Sequence, residues 1–319
     1  MSAGGRRSVY ARELALLLLL ATLWGASYSF IKVGVRTIPP VTFIAARTAI
    51  AAAVLLGVLR WRGIAMPRDA GTWRRFLLQA CLNSVVPFTL IAWAEQSVDA
   101  GIATILNSCS PIFTFILAWL LMGGQAATGR KLFGVVAGMA GICLIVGVEA
   151  LAGAGRQALA EIALVAASLS YAGASIFGRR SFERFDAMVP AAGSLVCGAV
   201  LLTPVSLFFE HPWTLSPSGA SIAALAALAV LSTALAFTIY FRLIHTLGPV
   251  GTTAQAYIRV PIGVAIGVAF LGERLAPTTW IGLVCVIVGV AAMTLPARPR
   301  ATALSTLRRA PAPARCSDG

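Results

Sequence analysis

The chain reads DAGIATILNSCSP at residues 99–111 and PVGTTAQAYIRVP at residues 249–261. Each segment carries a glycine ten residues before a proline, and these residues are Gly101, Pro111, Gly251 and Pro261. The offset between the two pairs is 150 residues. Self-similarity at a fixed offset indicates a duplicated structural unit. The second half of the chain is therefore predicted to copy the fold of the first.

The match continues on both sides of these segments. Gly134 and Gly141 recur as Gly282 and Gly289, now at an offset of 148 residues. Upstream, the residues Ala21, Leu23, Ala26, Ser29 and Phe88-Thr89 recur as Ala167, Leu169, Ala172, Ser175 and Phe237-Thr238. Their preserved order extends the duplication over most of the chain.

Ten apolar stretches have the length of a transmembrane helix, which needs about 17–25 residues. The chain is 59% apolar and 11% charged, whereas about a quarter of the residues in a soluble domain are charged. The runs are continuous rather than alternating, and lipid cannot satisfy an open backbone, so we expect helices. They cover residues 12–33, 40–60, 74–94, 98–122, 130–149, 157–178, 187–209, 219–242, 249–271 and 275–295. The sequence therefore predicts an all-α integral membrane protein with ten transmembrane helices.

Five spans in each half make the second copy enter the bilayer from the opposite side. The predicted fold is two inverted five-helix repeats, with which many secondary transporters place one substrate site between two rocking halves. The first repeat is predicted at 12–149 and the second at 157–295. A cytoplasmic N-terminal tail (1–11) precedes them, and a disordered basic cytoplasmic tail (296–319) follows.

The net charge of +14 follows this topology. Most of the 25 Lys and Arg residues fall in the tails and in the loops on one side of the predicted spans. The positive-inside rule places that side, with both termini, in the cytoplasm. The basic excess therefore indicates orientation and attraction to anionic lipid, and no nucleic-acid partner is expected. Short loops without an Asn-x-Ser/Thr acceptor favour a bacterial inner membrane.

Other classes of protein need residues that this sequence lacks. Five of the six cysteines lie singly inside spans, so no metal, cofactor or disulfide framework is predicted. His211 and His245 lie at span ends and no Asp or Glu lies mid-membrane, which argues against an enzyme. No Walker A loop exists for an ATP-driven pump. A channel and a carrier both remain compatible with the sequence.

Arg259 is the most informative single residue for function. It lies about ten residues into its span, or about 15 Å at 1.5 Å per residue, close to the midplane of a hydrocarbon core about 30 Å thick. A cation at that depth normally faces a wet cavity or a partner. Arg259 is predicted to bind substrate or to gate. The alternative is an arginine that bonds carbonyls freed by Pro261 or that snorkels to the interface.

Polar residues at matching depths of the two halves suggest further cavity-lining positions. Asn83 aligns with Ser232, and Asn107 with Tyr257. Trp24 lies near the middle of its span. The predicted substrate-binding residues are Trp24, Asn83, Asn107, Ser232, Tyr257 and Arg259. Polar side chains at such depths also serve as contacts between helices, so this alternative stays open.

Four residues are predicted to gate or to brace the helices. Pro111 and Pro261 each free a backbone carbonyl at similar depth and are expected to break equivalent helices. Arg47 and Glu95 lie nearer the outer face and are expected either to gate or to form a structural ion pair.

Several motifs resemble the drug/metabolite transporter superfamily, EamA type. They are Trp24-Gly25-Ala26-Ser27, Arg47, Ala100-Gly101, Pro111, Pro261, Leu271-Gly272-Glu273-Arg274-Leu275 and Gly282, in the expected order over residues 12–295. The resemblance implies a ten-helix carrier with a central cavity, of which many are bacterial exporters of amino acids and related compounds. Gly124-Gln125 and Arg259 depart from the usual pattern.

The expected function is a secondary transporter, either an exporter or an exchanger, of an amino acid or related carboxylate. The substrate carboxylate would form a two-pronged pair with Arg259. Without a central acid or histidine, we expect a facilitator or exchanger rather than proton coupling. A multidrug exporter is the alternative within the superfamily. The expected partners are the substrate and the lipid bilayer, with a monomer or a weak homodimer.

Overall fold

The computed structural model of the chain describes residues 3–121, 129–151, 156–186, 188–240, 242–243 and 255–294. Within these ranges the regular structure is helical and no β-strand occurs. The helices are α1 (Ala3–Gly34), α2 (Pro40–Trp61), α3 (Ala70–Ala94), α4 (Ala100–Asn107), α5 (Ser110–Leu121), α6 (Gly129–Leu151), α7 (Arg156–Ser181), α8 (Met188–Glu210), α9 (Gly219–Tyr240), α10 (Gln255–Leu271) and α11 (Pro277–Thr294). A short 3₁₀ turn, Pro212–Thr214, follows α8.

Six of the described helices are long and apolar enough to cross a membrane. Their spans are Arg12–Gly34, Pro40–Trp61, Ala70–Ala94, Gln157–Gly178, Met188–Glu210 and Gly219–Tyr240. The predicted ends of these spans agree to within a few residues. The other predicted spans contain shorter apolar helices or residues outside the described ranges, so a total of ten spans stays a prediction.

Helices from the two halves of the sequence pack against each other throughout the bundle. The main pairs are α1 with α9 and α10, α7 with α3, α4 and α5, α2 with α8, and α6 with α11. The largest buried hydrophobic cluster lies among α1, α2, α3, α4, α7, α10 and α11. A second cluster surrounds Phe76 between α2, α3 and α8. The core is therefore built mostly from contacts between distant parts of the chain.

The α6–α11 pair is packed through the duplicated glycines, and its contacts are reciprocal. A Cβ atom on Gly141 would lie 2.7 Å from the Gly282 carbonyl oxygen, and one on Gly289 would lie 2.6 Å from the Gly134 carbonyl oxygen. Both separations are too short for a side chain, so the two backbones touch directly. Small residues allow such close helix packing in membranes. The two copies of the motif thus contact each other.

Two π-helical turns interrupt α3 and α9 at equivalent positions. They are Cys81–Val85 in α3 and Val230–Leu235 in α9, and the two starts are 149 residues apart. Phe88-Thr89 and Phe237-Thr238 recur at the same offset. A π turn widens the helix, disturbs the regular i→i−4 hydrogen bonds, and is frequent at functional sites. The two turns carry the predicted pairs Asn83-Ser84 and Ser232-Thr233.

The spans that contain Pro111 and Pro261 differ in shape, contrary to the sequence prediction. The helix of the first copy ends at Asn107 and restarts at Ser110, just before Pro111. Helix α10 instead runs through Pro261 without a break. The prediction that Pro261 breaks its helix is therefore wrong. One missing N–H is tolerated when neighbouring groups or local adjustment satisfy the freed carbonyl.

Candidate functional site

Arg47 is held by side chains from two neighbouring helices. It is 6% exposed, and its Nε donates a hydrogen bond of 3.0 Å to Oγ1 of Thr233. Its Cζ lies 3.8 Å from the centroid of the Phe88 ring, in cation–π geometry. Thr233 belongs to the π turn of α9, and its hydroxyl donates to the Leu228 carbonyl at 2.8 Å. The widened turn therefore orients the acceptor for Arg47.

Asn107 joins three helices at the point where the first copy of the duplicated span breaks. It is buried at the end of α4, and its Nδ2 donates to the Tyr28 hydroxyl of α1. The Ser168 hydroxyl of α7 lies 3.2 Å from its Oδ1 and 3.0 Å from the Leu106 carbonyl oxygen, and it donates to these acceptors. The break therefore replaces backbone hydrogen bonds with contacts to α7.

Arg47 and Arg259 have one tyrosine as a common electrostatic neighbour. Both Arg47 and Arg259 lie within electrostatic range of the Tyr171 hydroxyl, and Arg47 is also within range of Tyr28. The rings of Phe88 and Tyr171 are 6.4 Å apart. We call these five residues the arginine–tyrosine cluster. They come from α1, α2, α3, α7 and α10, so both halves of the chain contribute.

Arg259 is less firmly held than Arg47. Its side chain is half-buried, and its buried Nε has no hydrogen-bond partner among the described residues. Its backbone is fixed, because a Cβ atom on Gly25 would lie 3.1 Å from the Arg259 carbonyl oxygen. Helices α1 and α10 therefore touch beside Arg259. An anion could satisfy the unpaired donor.

Glu95 is an enclosed carboxyl group at the end of α3, directly after the span Ala70–Ala94. It is 0% exposed, and neither of its oxygens has a hydrogen-bond partner in the described part of the chain. Burial raises the pKa of Glu95 well above its usual range, and the charges of Lys32 and Arg47 oppose this only in part. Among the described residues, no ion pair within 4 Å joins it to Arg47. The alternative of a direct Arg47–Glu95 ion pair is therefore not observed, because Thr233 and Phe88 hold the guanidinium.

Two further carboxylates close the end of the bundle that holds the α1–α2 loop, residues 35–39, which we call the first-loop end. Glu273 accepts hydrogen bonds from the Ala100 and Gly101 amides at 2.7 and 2.9 Å, at the start of α4. Glu210 accepts from the Val41 and Thr42 amides at 3.1 and 2.6 Å, near the start of α2. An anion at a helix N-terminus satisfies free amides and the helix dipole. Each carboxylate ties the second half of the sequence to the first.

The remaining predicted site residues lie elsewhere or are less well defined. Trp24 packs in an aromatic group, with ring centroids 6.2 Å from Phe237 and 5.3 Å from Tyr240. Asn83 is half-buried, and Ser232 is buried with an unpartnered hydroxyl in the described chain. Pro261 is exposed. The side chains of Tyr257 and Pro111 lie outside the described residues.

Sequence reasoning did not select several residues that the structure places in or around the arginine–tyrosine cluster. They are Tyr28, Phe88, Ser168, Tyr171 and Thr233. A signal existed for four of them, because Phe88 belongs to a repeated dipeptide, Thr233 aligns with Ser84, and Tyr28 and Tyr171 are aromatic residues inside predicted spans. Among the described residues, no group of three or more His, Cys, Asp or Glu is placed to hold a metal ion.

Helices of membrane-spanning length with polar side chains buried among them are typical of membrane transporters, and comparison with known proteins identifies the family of this chain. The EamA-like transporter family matches residues 11–147 and 158–295. The chain therefore belongs to the EamA-like transporter family. The two matched segments are two copies of one family unit.

The chain is also similar to individual transporters. It is 27% identical to the uncharacterized inner membrane transporter YedA of Escherichia coli (strain K12), over 89% of this chain and 92% of that protein. It is 25% identical to a probable terminal-alkyne amino-acid exporter of Streptantibioticus cattleyicolor, over 86% and 90%. A solved crystal structure with 17% identity covers 89% of this chain and 97% of that chain at a TM-score of 0.61. This last likeness shows a shared fold.

Proposed function

We propose that this membrane protein is a secondary transporter, an exporter or exchanger, for a small polar metabolite that carries a carboxylate, such as an amino acid. The observation that carries the proposal is the pair of arginines inside the bundle: Arg47 makes one hydrogen bond, to Thr233, and the buried Nε of Arg259 has no partner among the described residues. Two guanidinium groups without a bonded carboxylate, among the described residues, favour an anionic ligand group and disfavour a cationic drug. The name of the similar Streptantibioticus exporter agrees with this substrate class.

The proposed mechanism is alternating access between two inverted five-helix repeats. The reciprocal glycine contacts of α6 and α11 and the paired π turns of α3 and α9 support it, because both recur at the offsets of the duplication. Arg47 belongs to the first half and Arg259 to the second, so relative motion of the halves would change the distance between the two charges. Substrate would bind most tightly in one arrangement.

The proposed location is the cell inner membrane, with both termini in the cytoplasm and the first-loop end outside. The distribution of Lys and Arg supports this orientation. The test uses single cysteines at positions 68 and 131 in a chain without its native cysteines. They should react with a membrane-impermeant maleimide only after permeabilisation. Labelling from outside in intact cells would contradict the topology.

Counterflow in proteoliposomes tests the function. Purified protein is reconstituted with an unlabelled amino acid or organic acid inside and a trace of the labelled compound outside. We expect a saturable overshoot of label for at least one acid, slowed about tenfold or more in Arg47→Ala and Arg259→Ala. Arg60→Ala, at an exposed position of α2, should keep the wild-type rate.

Three results would overturn parts of this proposal. Counterflow of no acid by a monodisperse protein would reject the substrate class, and uptake of tetraphenylphosphonium instead would favour the multidrug alternative. Equilibration of label without an overshoot would indicate a channel-like facilitator. Unchanged rates in both arginine variants would move the site away from the arginine–tyrosine cluster.

A further inference from the structure

Glu95 is a buried carboxyl group that the surrounding protein does not satisfy. Its neighbours in electrostatic range are Lys32, Arg47 and Glu273, and each is engaged elsewhere. Lys32 donates to the Val98 carbonyl at 2.6 Å and lies 3.9 Å from Asp99. Glu273 caps α4, and Arg47 is bonded to Thr233. Burying a polar group without a partner costs stability, so this arrangement requires an explanation.

Arg47 makes one side-chain hydrogen bond among the described residues. Its hydrogen bond to Thr233 uses Nε, and the Phe88 ring covers one face of the guanidinium. Among the described residues, no carboxylate lies within 4 Å of it. A guanidinium has five N–H donors. Donors therefore remain for an anion in the plane of the group.

We infer that Arg47 and Glu95 are the two ends of one dipolar subsite, in which Arg47 binds the carboxylate of the substrate and Glu95 binds an amine of the same molecule. This inference rests on the proposed function and makes it more specific. The guanidinium of Arg47 is cationic, the carboxyl group of Glu95 loses its proton when an ammonium group binds beside it, and the two groups lie within electrostatic range of each other without a direct contact. A compact zwitterion carries one group that is complementary to each of them.

Simple acids and simple amines fit this subsite less well. A carboxylate without an amine occupies Arg47 and leaves Glu95 buried without a partner. An amine without a carboxylate leaves the guanidinium of Arg47 without an anionic partner. A site that is built to bond a polar group of its ligand strongly rejects an analogue that lacks this group. An apolar pocket rejects a ligand that lacks one methylene group far less strongly. Glu95 is thus assigned as a specificity-determining residue.

The carboxyl group is fully enclosed in the conformation described here. In an alternating-access cycle, Glu95 would become accessible in the conformation whose first-loop end is open, from which an exporter releases its substrate. The Glu273 and Glu210 caps lie at this end, and Glu95 is within electrostatic range of Glu273. Release of the caps would therefore uncover the amine end of the subsite.

The test compares matched ligands on the full-length protein in proteoliposomes. The probes are L-amino acids with aliphatic, aromatic and polar side chains, each paired with its deaminated acid and its decarboxylated amine. The half-saturating concentration of each probe is measured by competition with counterflow. In the wild type, we expect the best amino acid to bind about tenfold or more tightly than either partner.

Variants separate the two ends of the subsite. Glu95→Gln should weaken the binding of the amino acid to the level of its deaminated acid. The binding of the deaminated acid itself should not change. Arg47→Gln should weaken the binding of both the amino acid and its deaminated acid. Glu183→Gln, at an exposed loop position, is the matched control and should behave as the wild type. Size-exclusion profiles and melting temperatures check folding, and Glu95→Asp, which keeps a carboxyl group, should recover part of the preference.

The possible failures are distinguishable. Equal binding of the amino acid and its deaminated acid in the wild type would overturn the dipolar subsite and leave the carboxylate carrier intact. The same conclusion would follow if Glu95→Gln weakened both ligands equally. Counterflow of none of the acids or amino acids would overturn the proposed function together with the subsite.

Discussion

Arg47 and Arg259 are equivalent in charge but not in surroundings. Arg47 has a hydrogen bond and an aromatic face, whereas the buried Nε of Arg259 has no partner among the described residues. The two contacts of Arg47 fix the orientation of its planar guanidinium group. The unpaired Nε of Arg259 leaves a donor for a ligand. Lysine can reproduce the charge of either residue but not the planar, two-pronged geometry.

We therefore predict that lysine does not rescue either position. Arg259→Lys should impair counterflow nearly as much as Arg259→Ala, and Arg47→Lys nearly as much as Arg47→Ala. The loss of a charge-assisted hydrogen bond corresponds to about a tenfold effect or more. Arg60→Lys serves as the control on an exposed turn of α2. A rate above half of the wild type in either lysine variant would show that charge alone suffices.

The burial of Glu95 predicts how the stability of the protein depends on pH. Its pKa is raised in the folded protein, so the folded chain keeps a proton that the unfolded chain releases above its ordinary value near 4.5. The stability that this proton contributes is present at low pH and declines as the pH rises. Glu95→Gln has no such proton, so its melting temperature relative to the wild type should rise between pH 5 and pH 8, by about 2 °C or more.

The measurement is a set of melting curves in detergent at several pH values. Glu183→Gln, exposed to solvent, should show a constant difference from the wild type over the same range. A difference for Glu95→Gln that stays flat or falls with pH would contradict the buried, unpartnered state of the carboxyl group.

At the scale of the element, the span that contains Pro111 is built as two helices, α4 and α5, whereas α10 is continuous through Pro261. A break has few backbone hydrogen bonds and can act as a hinge, but a continuous helix moves as one body. The Asn107 contacts to α1 and α7 lie directly at this break.

The two prolines should therefore respond differently to substitution. Pro111→Ala restores an N–H and favours helix through the break, so it should slow turnover several-fold more than it weakens substrate binding. Pro261→Ala should change turnover less, because its helix is already continuous. Comparison of the maximal rate and the half-saturating concentration in counterflow checks both. Equal slowing by the two variants would show that the two prolines have equivalent roles, as the sequence suggested.

The sequence could predict the elements better than their interruptions. Apolar runs predicted α2 at 40–60 and α3 at 74–94, close to the observed Pro40–Trp61 and Ala70–Ala94. The π turns have no such signal, because they depend on which neighbouring groups accept the displaced hydrogen bonds. The effect of a proline also depends on its neighbours, which is why Pro261 was assigned a break that α10 does not have.

Sequence reasoning could propose the residue types of the candidate site but not their contacts. Depth and charge selected Arg47, Asn107, Glu95 and Arg259 without a structure. The rotation of each helix about its axis decides which of these side chains touch. A shift of one residue along a helix turns a side chain by about 100°. The stacking of Arg47 on Phe88 and its bond to Thr233 join residues far apart in the chain. Sequence spacing holds no information on such pairs.

At the scale of the whole molecule, the halves meet along contacts of two kinds. The α6–α11 pair is a direct backbone contact that leaves no room for a side chain. The caps by Glu210 and Glu273 are polar contacts at the first-loop end, and the Arg242–Glu13 ion pair of 2.6 Å joins α1 to residue 242, which follows α9. Polar contacts can exchange partners during a cycle more readily than close-packed backbones can separate. The α6–α11 pair is therefore expected to stay fixed while the ends open and close.

The reciprocal glycines imply that substitutions in the two copies are not independent. Gly141→Ala pushes a methyl group into the Gly282 carbonyl, and Gly289→Ala pushes one into the Gly134 carbonyl of the same helix pair. Each single change should lower stability by about 1–3 kcal/mol through overpacking. Once one methyl group has separated the helices, the other enters at lower cost, so the double variant should lose less than the sum.

A double-mutant cycle of melting temperatures in detergent measures this coupling, with Gly57→Ala, whose added Cβ meets no atom within 4 Å, as a neutral partner. Strict additivity of Gly141→Ala and Gly289→Ala would show that the two contacts relax separately. Sub-additivity has a consequence for the history of the gene. A mutation in one copy lowers the cost in stability of the next mutation in the other copy. The two halves of this interface therefore evolve under one shared constraint rather than two.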